Sequence, residues 1–512
     1  MQKNKEIIDK AYNKLVYIVE IIIPIIMGVA LYKVAYKYQD LNYISKPNMA
    51  VAIISGIILL AIIVINSIKY KKKIEKLFLT YVIPIGIMFT ILLPMNKVPD
   101  EDGHMIKTYD VSQGHLITPF GEENKGDIYI PEQMQELIEN RNELNYSKLH
   151  EYFMQKADYN TLLPAQTIAK TYAPVNYLTG AITFFICRIL NINILLACYL
   201  GRLVNFLLFA IIGYYCIKIL PFGKLLMAIY MLLPMIVQQA ASLSADAFIN
   251  AVSLLFIAYN LKLLYQEKDL DLKQKLIYYM LALSLALCKY VYFPLVFMSL
   301  MLIKNKKISK KNRNELIIVS TILAILAAVG WFVFSQKYVD VRKYIIESNV
   351  KPIEQLKYIL LHPFIYVKIL IKNFEANTGF YLFTFVGKKL GALDIDIPQI
   401  YAIIELFALL MIPFFEKNDK SLEKIQKWVM NLISIVLILL IITGLYLTWT
   451  PLQEPSISGV QGRYFVPAFI LTLLTMINKK KNIEVKNLEI KYFALFLILN
   501  MISLNIIFHK FI

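Results

Sequence analysis

Apolar runs of up to about 20 residues recur along the chain, separated by polar segments rich in lysine. A helix of about 20 residues spans the hydrocarbon core of a bilayer. The runs fall at about 16–37, 50–68, 77–95, 194–219, 225–240, 246–264, 277–288, 290–303, 315–336, 399–415, 428–449, 464–478 and 491–509. They predict an all-α polytopic membrane protein with about thirteen transmembrane helices. The first run has no small-residue cleavage site after it and reads as a retained helix. The runs 277–288 and 290–303 read as two short helices meeting at Cys288-Lys289-Tyr290.

Composition agrees: a water-soluble fold has no place to bury a chain that is 58% apolar over 512 residues. The formal charge of +18 sits largely in short loops, at Met1–Lys14, Lys69–Lys76, Lys304–Asn314 and Lys479–Lys486. That is the pattern of cytoplasmic loops, so the N-terminus is expected in the cytoplasm and no nucleic-acid partner is implied. Cys187, Cys198, Cys216 and Cys288 lie in or at the ends of apolar runs and read as structural thiols.

The predicted organisation has three parts. Residues 1–76 form two extra N-terminal helices and a basic loop. Residues 77–478 form the main transmembrane module, with external segments 96–193 and 337–398. Residues 479–512 supply a basic loop and the last helix. The stretch 96–173 holds seven basic residues and thirteen carboxylates, a local excess of acid in a basic protein. Within it, Pro131–Gln155 reads as one helix with proline at its start. The runs 174–190 and 353–373 read as amphipathic helices lying in the outer interface.

With this sidedness, the chemically unusual clusters share the external face. Asp100, Glu101, Asp102 and His104 directly follow the third span, where charge is costly unless solvated, paired or used. A carboxylate there can deprotonate an acceptor hydroxyl during glycosyl transfer, so Asp100 and Glu101 are the candidate catalytic pair; the alternative is a solvated loop start. No particular cofactor is assigned by the sequence. Mg2+ or Mn2+ is compatible, with Asp100 and Glu101 as its only candidate ligands. His104 would orient a carboxylate or touch a phosphate, or is a surface histidine. Lys289, Arg463 and Arg202 stand at or near outer helix ends, as a lipid-linked phosphate requires; snorkelling is the alternative. Asp246 is either functional or a helix cap, and Tyr172 is a candidate for sugar stacking.

In order, Pro99-Asp100-Glu101-x-x-His104, Pro174-x-x-Tyr177, Ser244-x-Asp246, Lys289-Tyr290-Val291-Tyr292, Gly387 with Gly391-x-Leu393-Asp394, and Gly462-Arg463-Tyr464-Phe465-x-Pro467 resemble the landmarks of a bacterial predicted-membrane-protein family of unknown function. That family is placed in the GT-C superfamily of membrane glycosyltransferases. The resemblance implies a GT-C-like fold with a large external first loop. It further implies an inverting transferase at the outer face of a bacterial cytoplasmic membrane. The implied partners are a polyprenyl-phosphate-sugar donor and a glycan or lipid-linked acceptor. By the same resemblance, Lys107 stands where an arginine is usual and joins the candidate substrate-binding residues; Ala392 stands where an aromatic is common. Alternatives of the same outline are a flippase or transporter of lipid-linked glycans, and a polysaccharide polymerase or ligase.

Overall fold

The computed structural model describes residues 2–118, 127–335, 349–478 and 485–512, with side chains from residue 18 onward. Parts of both external segments and of the last basic loop, including Glu122, Glu123 and Lys125, lie outside the described residues. The described chain is overwhelmingly helical. Its strands form two small antiparallel ladders, Ile128–Pro131 with Leu162–Ala165 and Lys389–Leu390 with Ile395–Asp396.

Eight described helices are long and apolar enough to cross a bilayer: Ile18–Leu41, Lys46–Lys69, Ile74–Leu92, Ile194–Ile219, Asp246–Leu264, Lys310–Ser335, Lys424–Thr448 and Leu488–Lys510. The other five expected spans are shorter or broken. Residues 225–240 form two seven-residue helices, Lys224–Tyr230 and Pro234–Ala240, parted by a turn before Pro234 and wholly buried. Broken helices at membrane depth are tolerable because protein surrounds them. The helix Leu272–Cys288 stops at Lys289, and Tyr290–Lys304 continues as a 3-10 helix. At about 2 Å per residue, those 15 residues extend about 30 Å, the thickness of the hydrocarbon layer.

Three elements of the segments expected to be external differ from expectation or sharpen it. Pro131–Gln155 is not one helix. Pro131 closes a strand, a helix runs over Glu132–Glu139, and a second starts at Tyr146 because Asn145 caps it by accepting from the Lys148 N–H at 2.9 Å. Residues 174–190 become a 3-10 turn, Pro174–Tyr177, and a 12-residue helix, Leu178–Ile189. Its length is about 18 Å, too short to cross. It buries Gly180, Ala181, Phe184 and Cys187 and exposes Ile182, Phe185, Ile186 and Ile189, as an interfacial helix does. The 353–373 stretch breaks at His362-Pro363 into Pro352–Leu361 and the long helix Pro363–Val386.

The outer faces of the long helices are coated with Ile, Leu, Val and Phe, which is the lipid-facing surface. The two N-terminal helices are tied in by Glu20, fully buried and accepting from Asn66 Nδ2 at 2.6 Å, so this intramembrane carboxyl faces protein rather than lipid. Four chain breaks then meet at one end of the bundle: the turn before Glu101, the turn 241–245, the break at Lys289 and the start of Gly462–Phe465. Backbone irregularity there frees side chains to converge.

Candidate functional site

The three consecutive acids point three ways. The helix Glu101–Ser112 starts immediately after Asp100, and successive helical residues turn by about 100°. Each acid meets a different arginine: Asp100 with Arg463, Glu101 with Arg202, Asp102 with Arg141.

Glu101 and Arg202 are closed off, both 0% exposed. Arg202 donates from Nε to Glu101 Oε1 at 2.7 Å and from Nη2 to Oε2. Its remaining donors reach the Leu93 carbonyl at 2.6 Å and the Pro94 carbonyl at 2.9 Å. Glu101 also accepts from the backbone N–H of Asn96 at 3.0 Å and of Leu243 at 3.1 Å. This corrects two expectations. Glu101 has no access to substrate or metal, and Arg202 has no donor left for a phosphate. The pair instead fixes the end of the third span against the 241–245 turn. Asp102 and Arg141 form a partly exposed tie between the helix Glu101–Ser112 and the turn after Glu132–Glu139.

Lys107 is corrected as well. It is buried, donating to Asp110 Oδ2 at 2.7 Å and Thr118 Oγ1 at 2.8 Å, away from Asp100 and Arg463. The loop around Gly391 and Asp394 does not join the site either. Gln238 clamps it by accepting from the Gly391 N–H at 2.8 Å and donating to its carbonyl at 3.0 Å, while Asp394 pairs with Lys510.

What converges is Asp100, His104, Tyr172, Asp246, Lys289 and Arg463. Asp100 adopts φ +62°, a left-handed conformation uncommon for a residue with a Cβ and held only where surroundings over-determine it. The holder is Arg463, itself 2% exposed. Its Nη2 donates to Asp100 Oδ2 and to the Tyr464 hydroxyl, its Nη1 to Asp246 Oδ2 at 2.9 Å, and its Nε to Gln461 Oε1 at 2.7 Å. Gly462 makes this placement possible. A Cβ there would lie 2.1 Å from the Tyr381 carbonyl oxygen, so only glycine lets the turn dock on Pro363–Val386.

The Asp100 side chain is 62% exposed, yet burial acts on its carboxyl. Burial pushes the carboxyl up, but Arg463, then His104 and Lys289, outweigh it and hold it below the ordinary value. Oδ2 is taken by Arg463; no other protein group among the described residues bonds Oδ1. His104 donates to or accepts from the Tyr177 hydroxyl at Nδ1, 2.8 Å away, and meets the Tyr172 ring edge-on at 5.4 Å. Burial pushes its imidazole down, against the pull of Asp100 and Asp246, so the ring is neutral at pH 7. Burial likewise raises the Tyr172 phenol, which stays protonated.

Lys289 differs from the other cations. Its ammonium sits 4.4 Å from the Tyr464 ring centroid and 5.4 Å from that of Tyr292. No carboxylate among the described residues lies within ion-pair distance of it. Asn176 donates to the Cys288 carbonyl at 3.2 Å, anchoring the backbone just before it. The cluster therefore brings together an ionised carboxylate, a neutral histidine, several tyrosines and a lysine with no carboxylate within ion-pair distance among the described residues. Tyr464, Tyr292 and Tyr177 were given no role by sequence reasoning, although all three stand in the quoted motifs. Their interleaving with Arg463, Lys289 and Pro174 was the available signal.

A divalent metal does not fit these residues. Glu101 is withdrawn, Asp100 and Asp246 share one guanidinium, and no group of three His, Cys, Asp or Glu among the described residues is placed to hold an ion. The three histidines of residues 96–173 lie apart. His115 pairs with Asp110, and His150 stacks on Tyr36 at 3.9 Å.

The fold and this cluster define a polytopic α-helical membrane protein with a polar, tyrosine-lined site at one end of its bundle. The chain belongs to the family described as "Predicted membrane protein (DUF2142)", whose model matches residues 83–472. The first two helices and the last lie outside that segment. No curated protein and no solved structure matches the chain.

Proposed function

We propose that this protein is a GT-C-type membrane glycosyltransferase, using a polyprenyl-phosphate-linked sugar at the external face of a bacterial cytoplasmic membrane. The observation carrying this reading is the presence in one cluster of Asp100, largely exposed with Oδ2 alone held by Arg463, and Lys289, which has no carboxylate within ion-pair distance among the described residues. Asp100 Oδ1 takes the proton of the acceptor hydroxyl as its oxygen bonds to the anomeric carbon. The bond from that carbon to the phosphate oxygen breaks, and the phosphate leaves with the electron pair. Lys289 meets the charge growing on it. Arg463 holds Asp100 in register, and Tyr172, Tyr292 and Tyr464 offer ring faces to a sugar.

Charge favours a monophosphate donor. Arg463 is engaged by two carboxylates, which leaves Lys289 alone to balance the incoming phosphate. A pyrophosphate donor, as a polymerase or ligase uses, brings more negative charge than one ammonium offsets. The transporter reading is disfavoured because the charges gather at one end of the bundle rather than at its middle.

The test is the composition of envelope glycans from a deletion strain, complemented with wild type or Asp100→Asn at matched expression. Loss of a sugar restored by wild type alone supports the reading and names the sugar. Restoration by both removes Asp100 as the base.

A further inference from the structure

A second cluster of buried polar groups lies where the two N-terminal helices meet the third span. Glu20 of Ile18–Leu41, Asn66 of Lys46–Lys69 and Thr80 of Ile74–Leu92 are 0%, 1% and 0% exposed. Asn66 Nδ2 donates to Glu20 Oε1 at 2.6 Å, and the Thr80 hydroxyl stands beside the same carboxyl without a formed hydrogen bond. Three buried oxygens thus have no hydrogen-bond partner among the described residues: Glu20 Oε2, Asn66 Oδ1 and Thr80 Oγ1. No lysine, arginine or histidine among the described residues lies within ion-pair distance of Glu20. A buried polar atom without a partner is uncommon. Three of them, from three helices around one uncompensated carboxyl, point to a ligand. The neighbouring residues Ser67 and Tyr81 bond each other at 2.8 Å and fix the second helix against the third at this level. Thr80 precedes the end of its helix at Leu92 by twelve residues, about 18 Å, so the cluster lies far from Asp100. All three residues also precede residue 83, where the family match begins.

We infer that Glu20, Asn66 and Thr80 form a binding site for one sodium ion, which clasps the two N-terminal helices to the third. Hard cations take oxygen ligands, and the cluster offers a carboxylate, an amide and a hydroxyl oxygen. One carboxylate balances one positive charge, so a monovalent ion leaves the site neutral and a divalent ion does not. The three ligands sit in fully buried helix contacts, which favours the smaller of the common alkali cations. A water molecule would bond two of the oxygens but leave the carboxylate charge uncompensated inside the protein. A proton on Oε2 would remove the charge but donate a single hydrogen bond. The assignment is independent of the glycosyltransferase reading, which concerns groups beyond the other end of the third helix.

The experiment measures radioactive sodium binding to the full-length protein in detergent, after exchange into sodium-free choline chloride buffer. Wild type should bind one ion per chain, displaced by unlabelled NaCl and not by further choline chloride. Glu20→Gln, which keeps the side-chain shape and an acceptor for Asn66, should lose the binding. Thr80→Val, which replaces the hydroxyl by a methyl of similar size, should weaken it by about tenfold or more. Asp100→Asn should bind as wild type does. Because the ion binds the folded state, about a hundredfold excess of NaCl over its dissociation constant should raise the unfolding temperature of wild type by a few degrees relative to choline chloride at equal ionic strength, and leave Glu20→Gln unchanged. Absence of saturable binding to wild type, with unfolding that follows pH and ignores sodium, overturns the site in favour of a protonated carboxyl. Binding that survives in Glu20→Gln, or is lost in Asp100→Asn, overturns its location. Displacement by KCl as effective as by NaCl overturns the choice of ion.

Discussion

Replacing Glu101 by glutamine separates architecture from chemistry at adjacent positions. In the native protein the Glu101 carboxylate receives four donors: two from Arg202 and the N–H groups of Asn96 and Leu243. Glutamine turns one oxygen into a donor that faces two of those donors, and leaves the fully buried Arg202 charge without its counter-ion. Breaking a buried ion pair in this way costs about 3–5 kcal/mol. At roughly 2–4 °C per kcal/mol for a domain of a few hundred residues, thermal unfolding in detergent should fall by on the order of 10 °C. Asp100→Asn weakens a pair whose acid is largely exposed, which is worth at most about 1 kcal/mol. It should therefore unfold within a few degrees of wild type while failing to restore the envelope glycan. The assay is fluorescence-detected unfolding of both variants beside complementation. If Glu101→Gln unfolds like wild type yet is inactive, Glu101 acts in the chemistry and the structural assignment of the Glu101–Arg202 pair is wrong.

Further outcomes are open to direct measurement. Lys289→Gln should lower turnover by about 10²-fold, the usual cost of removing one group that stabilises developing charge, with Lys289→Arg retaining part of it; equal activity of all three would remove Lys289 from the phosphate site. His104 is held below its ordinary value of 6.5, mainly by burial. Its contribution to stability is thus complete above pH 6.5 and lost as pH falls through the lower folded value. Unfolding temperature should be flat above pH 6.5 and decline below it, and His104→Gln should flatten that decline. Gly462→Ala should abolish folded protein, because the Tyr381 carbonyl occupies the space of the new Cβ; normal yield would show that the turn can move. For the proposed sidedness, a cysteine at Asn142 should react with an impermeant maleimide in intact cells and one at Lys311 should not. The reverse pattern would place Asp100 in the cytoplasm.

Hydropathy determined what kind of protein this is, because a bilayer demands long uninterrupted apolar runs and the chain writes them openly. It also located the acidic turn, since carboxylates that abut a span are conspicuous against their surroundings. What the linear pattern could not carry was direction. Asp100, Glu101 and Asp102 are neighbours in the chain, yet a helix sends neighbours about 100° apart, and which arginine each one meets depends on segments 39 to 363 residues away. Arg202 and Lys289 look alike in sequence, each a basic residue at an apolar boundary. Tertiary packing gave Arg202 a buried carboxylate and left Lys289 among aromatic rings without one. The shorter apolar runs carry a related ambiguity. An apolar run shows that a segment avoids water, and the run 225–240 does so inside protein rather than across lipid. Burial in protein and burial in lipid select the same residues, so only the folded arrangement distinguishes them.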